Sequence, residues 1–160
     1  MRRSPLVRVR PAKAEDIHPL EAVISRWWKV DVDHRKHIAH SDSILLVAER
    51  SKEGPTGKKS IVGTGLMLVT DWNKTGYMAE LAVADDFKRK GVARALMSEF
   101  SNLARKRRLR AIIAETQPDN SEAIGFYLSN GFRFCGFNDR YYTNSPKTPH
   151  EVAIFFSLDL

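Results

Sequence analysis

Three apolar runs of strand length follow one another in the first half of this 160-residue chain: "ILLVAER", "IVGTGLMLVT" and "YMAELAV". Each is an apolar run bounded by turn residues and reads as a strand. The intervening stretches, "SKEGPTGKKS" and "DWNKTG", carry the Gly, Pro, Asn and Asp of turns. Strands joined by such short turns pair as a meander, and a meander exposes two faces that something else must cover.

The flanking segments supply that cover. "PLVRVRPA" alternates apolar and basic residues and predicts a first strand ended by Pro11. "AEDIHPLEAVISRWW" has helical spacing through Ile17, Leu20, Ile24 and Trp27, with Pro19 tolerable in the first turn. After the meander, a helix is predicted from about Val92 to Lys106, with Ala95, Leu96, Phe100, Leu103 and Ala104 on one face. "RAIIAET" reads as a buried strand. "NSEAIGFYLSNGF" reads as a helix capped by Asn120 or Ser121 and stopped at Gly131. "RFCGFNDRYY" and "EVAIFFSLDL" are two more strands around the loop "TNSPKTPH". The order β-α-β-β-β-α-β-α-β-β has no repeat and no linker. It predicts one domain over 1–160 of mixed α/β (α+β) class.

Lys and Arg number 26 against 19 Asp and Glu, a net charge of +7. That excess favours an anionic partner. Cys135 is the one cysteine, so an internal disulfide and a Cys-rich zinc site are excluded. No stretch approaches the roughly 20 apolar residues of a membrane span. The start, "MRRSPLVRVRPAKAED", lacks the apolar run of a secretory signal. The expectation is a cytoplasmic protein.

The most informative turn is "AVADDFKRKGVARALM", residues 82–97. An apolar strand ends, a basic run follows, and Gly91 opens a helix. Amides unpaired at a helix start, together with the helix dipole, bind phosphate well. Gly91 and Ala93 permit close approach, and Lys88, Arg89, Lys90 and Arg94 add charge-assisted hydrogen bonds. The competing reading is a solvated basic turn. "GTG" at 63–65 is not a dinucleotide fingerprint, because no third glycine follows in place.

"LAV…KRKGVA" resembles the acetyl-CoA loop of the GNAT acetyltransferases, whose pattern is Gln or Arg, two residues, Gly, one residue, Gly or Ala. Lys88 holds the first place here. Asn120, Ala123, Phe126, Tyr127, Gly131 and Phe132 resemble the second motif of that family, and the element order agrees along nearly the whole chain. The resemblance implies a mostly antiparallel sheet, splayed between the fourth and fifth strands and flanked by helices. It implies acetyl-CoA as cosubstrate. The pantetheine arm would lie along Leu81, Ala82 and Val83, like an added strand. The amides from Arg89 through Lys90, Gly91, Val92 and Ala93 to Arg94 would hold the pyrophosphate. Asn120 would touch the arm from the other side.

Acetyl transfer to an amine needs a neutral nitrogen, although a free amine has a pKa of about 10.4. It also needs donors for the oxyanion and a hydrogen bond or proton for the departing sulfur. By the resemblance, Tyr127 stands beside the sulfur and the Val83 amide serves the oxyanion. The alternative for Tyr127 is a core aromatic. Glu80 is the candidate base or substrate ligand, and regular alternation puts Met78, Glu80 and Ala82 on one face of their strand. The alternative is a solvated carboxylate.

The late stretch "ETQPDNSEAIGFYLSNGFRFCGFNDRYY" is similar to the streptothricin acetyltransferase branch. Two positions depart from it: Asn138 stands where that branch usually has Asp, and Ala79 precedes Glu80 where it often has a second acid. The expected acceptor is a primary amine on a small cationic molecule, with a protein or peptide amine, or a non-catalytic domain that binds CoA or nucleic acid, as alternatives. Glu80 and Asp139 would supply negative charge, and Trp27, Trp28, Phe137, Tyr141 and Tyr142 could stack on a cation. His34, His37 and His40 recur by threes, as one helix face would align them. No suitable carboxylate set accompanies them, so no metal is expected. "ARKRRLR" at 104–110 lacks interleaved aromatics, so it reads as cations at a helix end and not as a nucleic-acid site. Cys135 reads as a packed thiol, and a homodimer is left open.

Overall fold

The computed structural model describes residues 7–26, 32–51, 59–142 and 152–160. Seven strands form one sheet: β1 (Arg8–Pro11), β2 (Ser43–Ser51), β3 (Lys59–Thr70), β4 (Thr75–Val83), β5 (Ala111–Thr116), β6 (Arg133–Asn138) and β7 (Ala153–Asp159). The helices are α1 (Ile17–Ile24), α2 (Val92–Lys106) and α3 (Ser121–Ser129). The sheet order is β1-β2-β3-β4-β5-β7-β6. Each neighbouring pair is antiparallel except β4 with β5. A parallel pair needs a crossover, and α2 provides it. The expected element order and fold class are therefore the observed ones.

The sheet separates two cores. Under α2 and α3 lie Met67, Met78, Leu96, Phe100, Ile112, Tyr127 and Phe156. Under α1 lie Ile17, Leu20, Ile24, Leu45, Val47, Leu66 and Ala82. The "GTG" of β3 is the seat of α2. A Cβ on Gly63 would come within 2.8 Å of Val92, and one on Gly65 within 2.8 Å of Phe100. Both distances are below contact, so any larger residue would push the helix off the sheet. On the other side, Arg10 of β1 ties two layers together. Its guanidinium grips both oxygens of Asp16, at 2.6 and 2.9 Å, and Nε donates to Glu49 at 2.9 Å. The two carboxylates are buried, and Arg10 holds the Asp16 carboxyl below its usual range.

Several expectations change. The first helix stops at Ile24 instead of running through Trp27, and Trp27 and Trp28 lie outside the described residues. So does the loop "TNSPKTPH". The strand expected through Tyr142 ends at Asn138, whose side-chain oxygen accepts from the Arg140 amide at 2.9 Å and turns the chain. Cys135 is exposed and not packed, because β6 is the edge of the sheet. Met78 and Ala82 do not share a face. Leu66 pairs with Glu80 and Met67 with Met78, so Ala79 is an extra residue opposite no partner. That bulge reverses the alternation, leaving Met78 in the core under α2 while Ala82 lies under α1. Glu80 goes with Ala82 to the α1 side.

The basic run at the end of α2 is partly tied down. Arg107 donates to the Ser41 carbonyl at 2.7 Å and Arg110 to the Asn73 carbonyl at 2.6 Å. Among the described residues no helix is long and apolar enough to cross a membrane.

Candidate active site

β4 and β5 pair over three positions only, Thr75 with Ala111, Gly76 with Ile112 and Tyr77 with Ile113. Beyond Tyr77 the two strands part. The rest of β4 keeps β3 as its partner and the rest of β5 keeps β7. This is the splay expected from the resemblance, and it opens the sheet from one face to the other.

On the α2–α3 face the opening leads into a groove of about 750 Å³. Leu81, Ala82, Val83, Lys88, Arg89, Gly91, Val92, Ala93, Arg94, Asn120 and Tyr127 all line it. Of the sequence candidates for the cofactor, Lys90 does not line it, and its ammonium lies 5.5 Å over the Phe87 ring. Arg89 at φ +55° and Gly91 at φ +82° flank Lys90, an alternation of the kind from which successive N–H groups can form an anion-binding concavity. A Cβ on Gly91 would meet nothing within 4 Å, so it is the left-handed φ, and not a shortage of space in the protein, that calls for glycine here. The first intrahelical bond runs from the Ala95 amide to the Gly91 carbonyl at 2.9 Å, which leaves the amides of the first turn to a ligand. The Lys88 ammonium stands 3.7 Å from Asp85 and 3.8 Å from Glu122, linking the loop to α3 across the groove.

The opposite wall is α3. Asn120 caps it, its side-chain oxygen accepting from the Ala123 amide at 3.1 Å. Tyr127 is buried among Phe126, Phe132 and Phe156, with ring centroids 5.3 to 5.6 Å away. It is thus a core aromatic and a groove residue at once. Burial, followed by the negative charge of Glu115, pushes its phenol up to about 12. The phenol keeps its proton through the physiological range and is a hydrogen-bond donor.

The α1 face of the splay holds a different chemistry. Glu80 is buried, and its Oε2 lies 2.7 Å from Nε2 of the fully buried His34. The other ring nitrogen, Nδ1, lies 3.3 Å from Oε1 of Glu21 on α1. The solvated reading of Glu80 is therefore overturned. Across the gap, the Tyr77 hydroxyl donates to Glu115 at 3.3 Å, and Tyr142 also donates to Glu115. The Tyr77 and Tyr141 hydroxyls share a hydrogen bond, and Tyr141 packs edge-on to Phe155. Burial first, then these partners, raise the Tyr77 and Tyr142 phenols far above their ordinary value.

Sequence reasoning named Glu80, Tyr141 and Tyr142 but missed His34, Glu21, Tyr77 and Glu115 as members of this face. Asp139, expected to add charge here, is exposed in the turn after β6, and Phe137 is 70% exposed on the edge strand. The three histidines part company: His37 bonds the Ser43 hydroxyl at 3.1 Å, and the His40 ring accepts from the Asp42 amide at 3.2 Å. The helical turn covers His34–His37 only and breaks before Ala39, whose φ is +53°.

The family model for the acetyltransferase (GNAT) family matches residues 11–132. The chain belongs to that family. Among its relatives, streptothricin acetyltransferase A of Bacillus subtilis (strain 168) is 32% identical over 87 residues, which is 54% of this chain and 50% of the relative. N-alpha-acetyltransferase 30 of Schizosaccharomyces pombe is 34% identical over 71 residues, 43% of this chain and 46% of the relative. The chain thus spans about half the length of the curated relatives it matches. A Bacillus anthracis structure solved in complex with acetyl coenzyme A superposes with a TM-score of 0.79 at 19% identity, covering 96% of this chain and 99% of the other. The GNAT fold thus extends over nearly the whole of this chain.

Proposed function

We propose that this GNAT protein transfers an acetyl group from acetyl-CoA directly to a primary amine of a small cationic molecule, of streptothricin or polyamine type. The observation that carries the reading is the opposition of two faces across one splay: an amide-lined, basic groove on one side and the carboxylates Glu80, Glu21 and Glu115 on the other. The groove suits a polyanionic cofactor, as the open cradle at Gly91 suggests, and the acidic face suits a cation. Local carboxylates can act against the global +7 because salt screens charges beyond about 8 Å at physiological strength.

Bound acetyl-CoA would supply the thioester carbonyl. The first-turn amides of α2, with Arg89 and Arg94, would hold its pyrophosphate, and the backbone of Leu81 and Val83 would pair with the arm. Glu80 would accept a proton from the ammonium, directly or through water. The Val83 amide would donate to the oxygen that gains charge. Tyr127 would donate a hydrogen bond to the sulfur. Its phenol, at about 12, holds its proton more tightly than a thiol of pKa near 8.5, so it stabilises the thiolate without giving the proton away.

A second reading, a protein or peptide N-acetyltransferase, is favoured by the 34% identity to N-alpha-acetyltransferase 30. One steady-state comparison decides between them. Streptothricin, spermidine, free lysine and N-terminal peptides are assayed with acetyl-CoA, using wild type and Glu80→Gln. The small amines should lead in kcat/KM, and Glu80→Gln should weaken the most cationic acceptors most. Peptides leading, with Glu80→Gln neutral, would establish the second reading. No turnover of any amine would remove both.

A further inference from the structure

We propose that the proton taken from the acceptor amine comes to rest on His34, which receives it through Glu80 and is oriented for this by Glu21. The inference rests on the proposed acetyl transfer and assigns His34 and Glu21 as positioning residues for it.

The argument begins with the weakness of a lone carboxylate. An ordinary Glu has a pKa of about 4.3 and an alkylammonium about 10.4, so proton transfer between them is uphill by about six pKa units. Efficient general bases lie nearer the working pH. Glu80 has a better partner at hand. Its Oε2 and the His34 Nε2 are 2.7 Å apart, hydrogen-bond contact, and the imidazole is wholly enclosed. On the far side Nδ1 is 3.3 Å from Glu21, so both ring nitrogens face carboxylates. Once Glu80 has taken up a proton it becomes a donor, and the ring that receives it is the one whose Nδ1–H is held by Glu21 and whose Nε2 lone pair meets the Glu80 hydroxyl.

The protons balance as follows. The ammonium N–H bond breaks and a proton reaches a Glu80 oxygen. The carboxyl passes a proton on to Nε2, and Glu80 is a carboxylate again; as the C–N bond forms and the C–S bond breaks, the second proton lost by the nitrogen goes to the departing sulfur, which leaves as the thiol. His34 is now an imidazolium between two carboxylates, which offset the cost of burying its charge. After the acetylated amine leaves, the proton returns through Glu80 to water in the emptied site. No oxidant, metal or further reactant is required.

The surroundings agree. Burial works against the charged ring, but the hydrogen bond and charge of Glu80, then those of Glu21, raise His34 above its ordinary value. Among the described residues those are the charged groups that face it, one from β4 and one from α1. On its own turn, Asp33 and Lys36 pair with each other at the surface, 3.5 Å apart, and His37 turns to Ser43 of β2. Glu21 is the one member with a way out, its side chain being 36% exposed.

The test joins two measurements on wild type, Glu21→Gln and His34→Gln. Histidine NMR resonances are followed through pH to locate the titration of His34. The acid limb of kcat/KM is measured with spermidine or streptothricin, whichever wild type acetylates faster. The wild-type limb should fall at the NMR value for His34. Glu21→Gln removes a group that raises that value, so both should move down together. Glu21 is 36% exposed on α1, so this variant keeps the fold even if His34→Gln does not. His34→Gln should lose roughly 10²-fold in kcat/KM near pH 7 and lose the limb, with its acetyl-CoA affinity kept. An active wild type whose limb stays put while the NMR value moves would overturn the role of His34 and spare the acetyltransferase reading. A wild type that acetylates no amine would overturn both.

Discussion

Tyr77 and Glu80 lie three positions apart on β4, an odd spacing that should set them on opposite faces, yet both serve the α1 face of the sheet. Ala79 causes this by standing in the strand without a partner on β3. Deleting Ala79 removes the bulge and leaves the two an even two positions apart, still opposite Leu68 and Leu66, so both should stay on the α1 face. The deletion variant, if folded by circular dichroism, should keep an acetyl-CoA-dependent rise in Tm. Its amine acetylation should fall by much less than the roughly 10²-fold of a lost acid–base group. A loss of that size in a folded variant would show that the bulge itself, and not the shared face alone, positions Glu80.

Gly91 carries the phosphate reading. At φ +82° it is needed for the backbone conformation of the turn, and the open space where a Cβ would point is where the proposed phosphate would approach. Gly91→Val should abolish the rise in Tm that acetyl-CoA gives wild type through mass action. An equal rise in both proteins would remove the cradle from the cofactor site.

Tyr127→Phe keeps the ring among Phe126, Phe132 and Phe156 and removes only the hydroxyl. The melting temperature and the acetyl-CoA Kd should hardly change. kcat should fall by roughly 10²-fold. An unchanged kcat would leave Tyr127 with its packing role alone.

Arg10→Met should cost about 3 kcal/mol at pH 7, because it removes the guanidinium shared by two buried carboxylates and leaves Asp16 with the Lys13 amide and Glu49 with Lys59. Urea denaturation of the two proteins measures the difference. Asp16 and Glu49 both have folded values below their unfolded ones, so the stability they contribute is present above about pH 4 and lost as pH falls through the depressed values. The gap between wild type and Arg10→Met should accordingly narrow in acid. A gap that widens there would mean that the carboxylates are not what Arg10 stabilises.

The sequence was most legible where one period governs. The amphipathic spacing of 92–106 located α2 to the residue, and Asn120 with Gly131 marked both ends of α3. Residues 82–94 disclosed their chemistry locally, because a helix start, its glycine and its basic side chains are adjacent in the chain. The acidic face was illegible for the opposite reason. Glu21, His34, Tyr77, Glu80 and Glu115 come from separate segments, and only the fold brings them together. His34 sits in a run of three histidines whose spacing suggested a shared helix face, while its true partner is 46 positions away. The bulge at Ala79 leaves no mark in hydropathy, so simple alternation grouped Glu80 with Met78. Cys135 and Phe137 looked like strand interior because edge and centre strands share one composition.

The short union of β4 and β5 also has a consequence for size. The two strands form a wedge, shut at Tyr77 and widening toward Val83. If the cofactor's phosphates are anchored at Gly91 and its arm runs inward along β4, the acyl end stops at the vertex, with Met78 on one side and Tyr77 on the other. An acetyl group ends there. Each added methylene would have to push the vertex apart, against the three residue pairs that hold it shut. The sheet then measures acyl length as a ruler would, by where the strands meet.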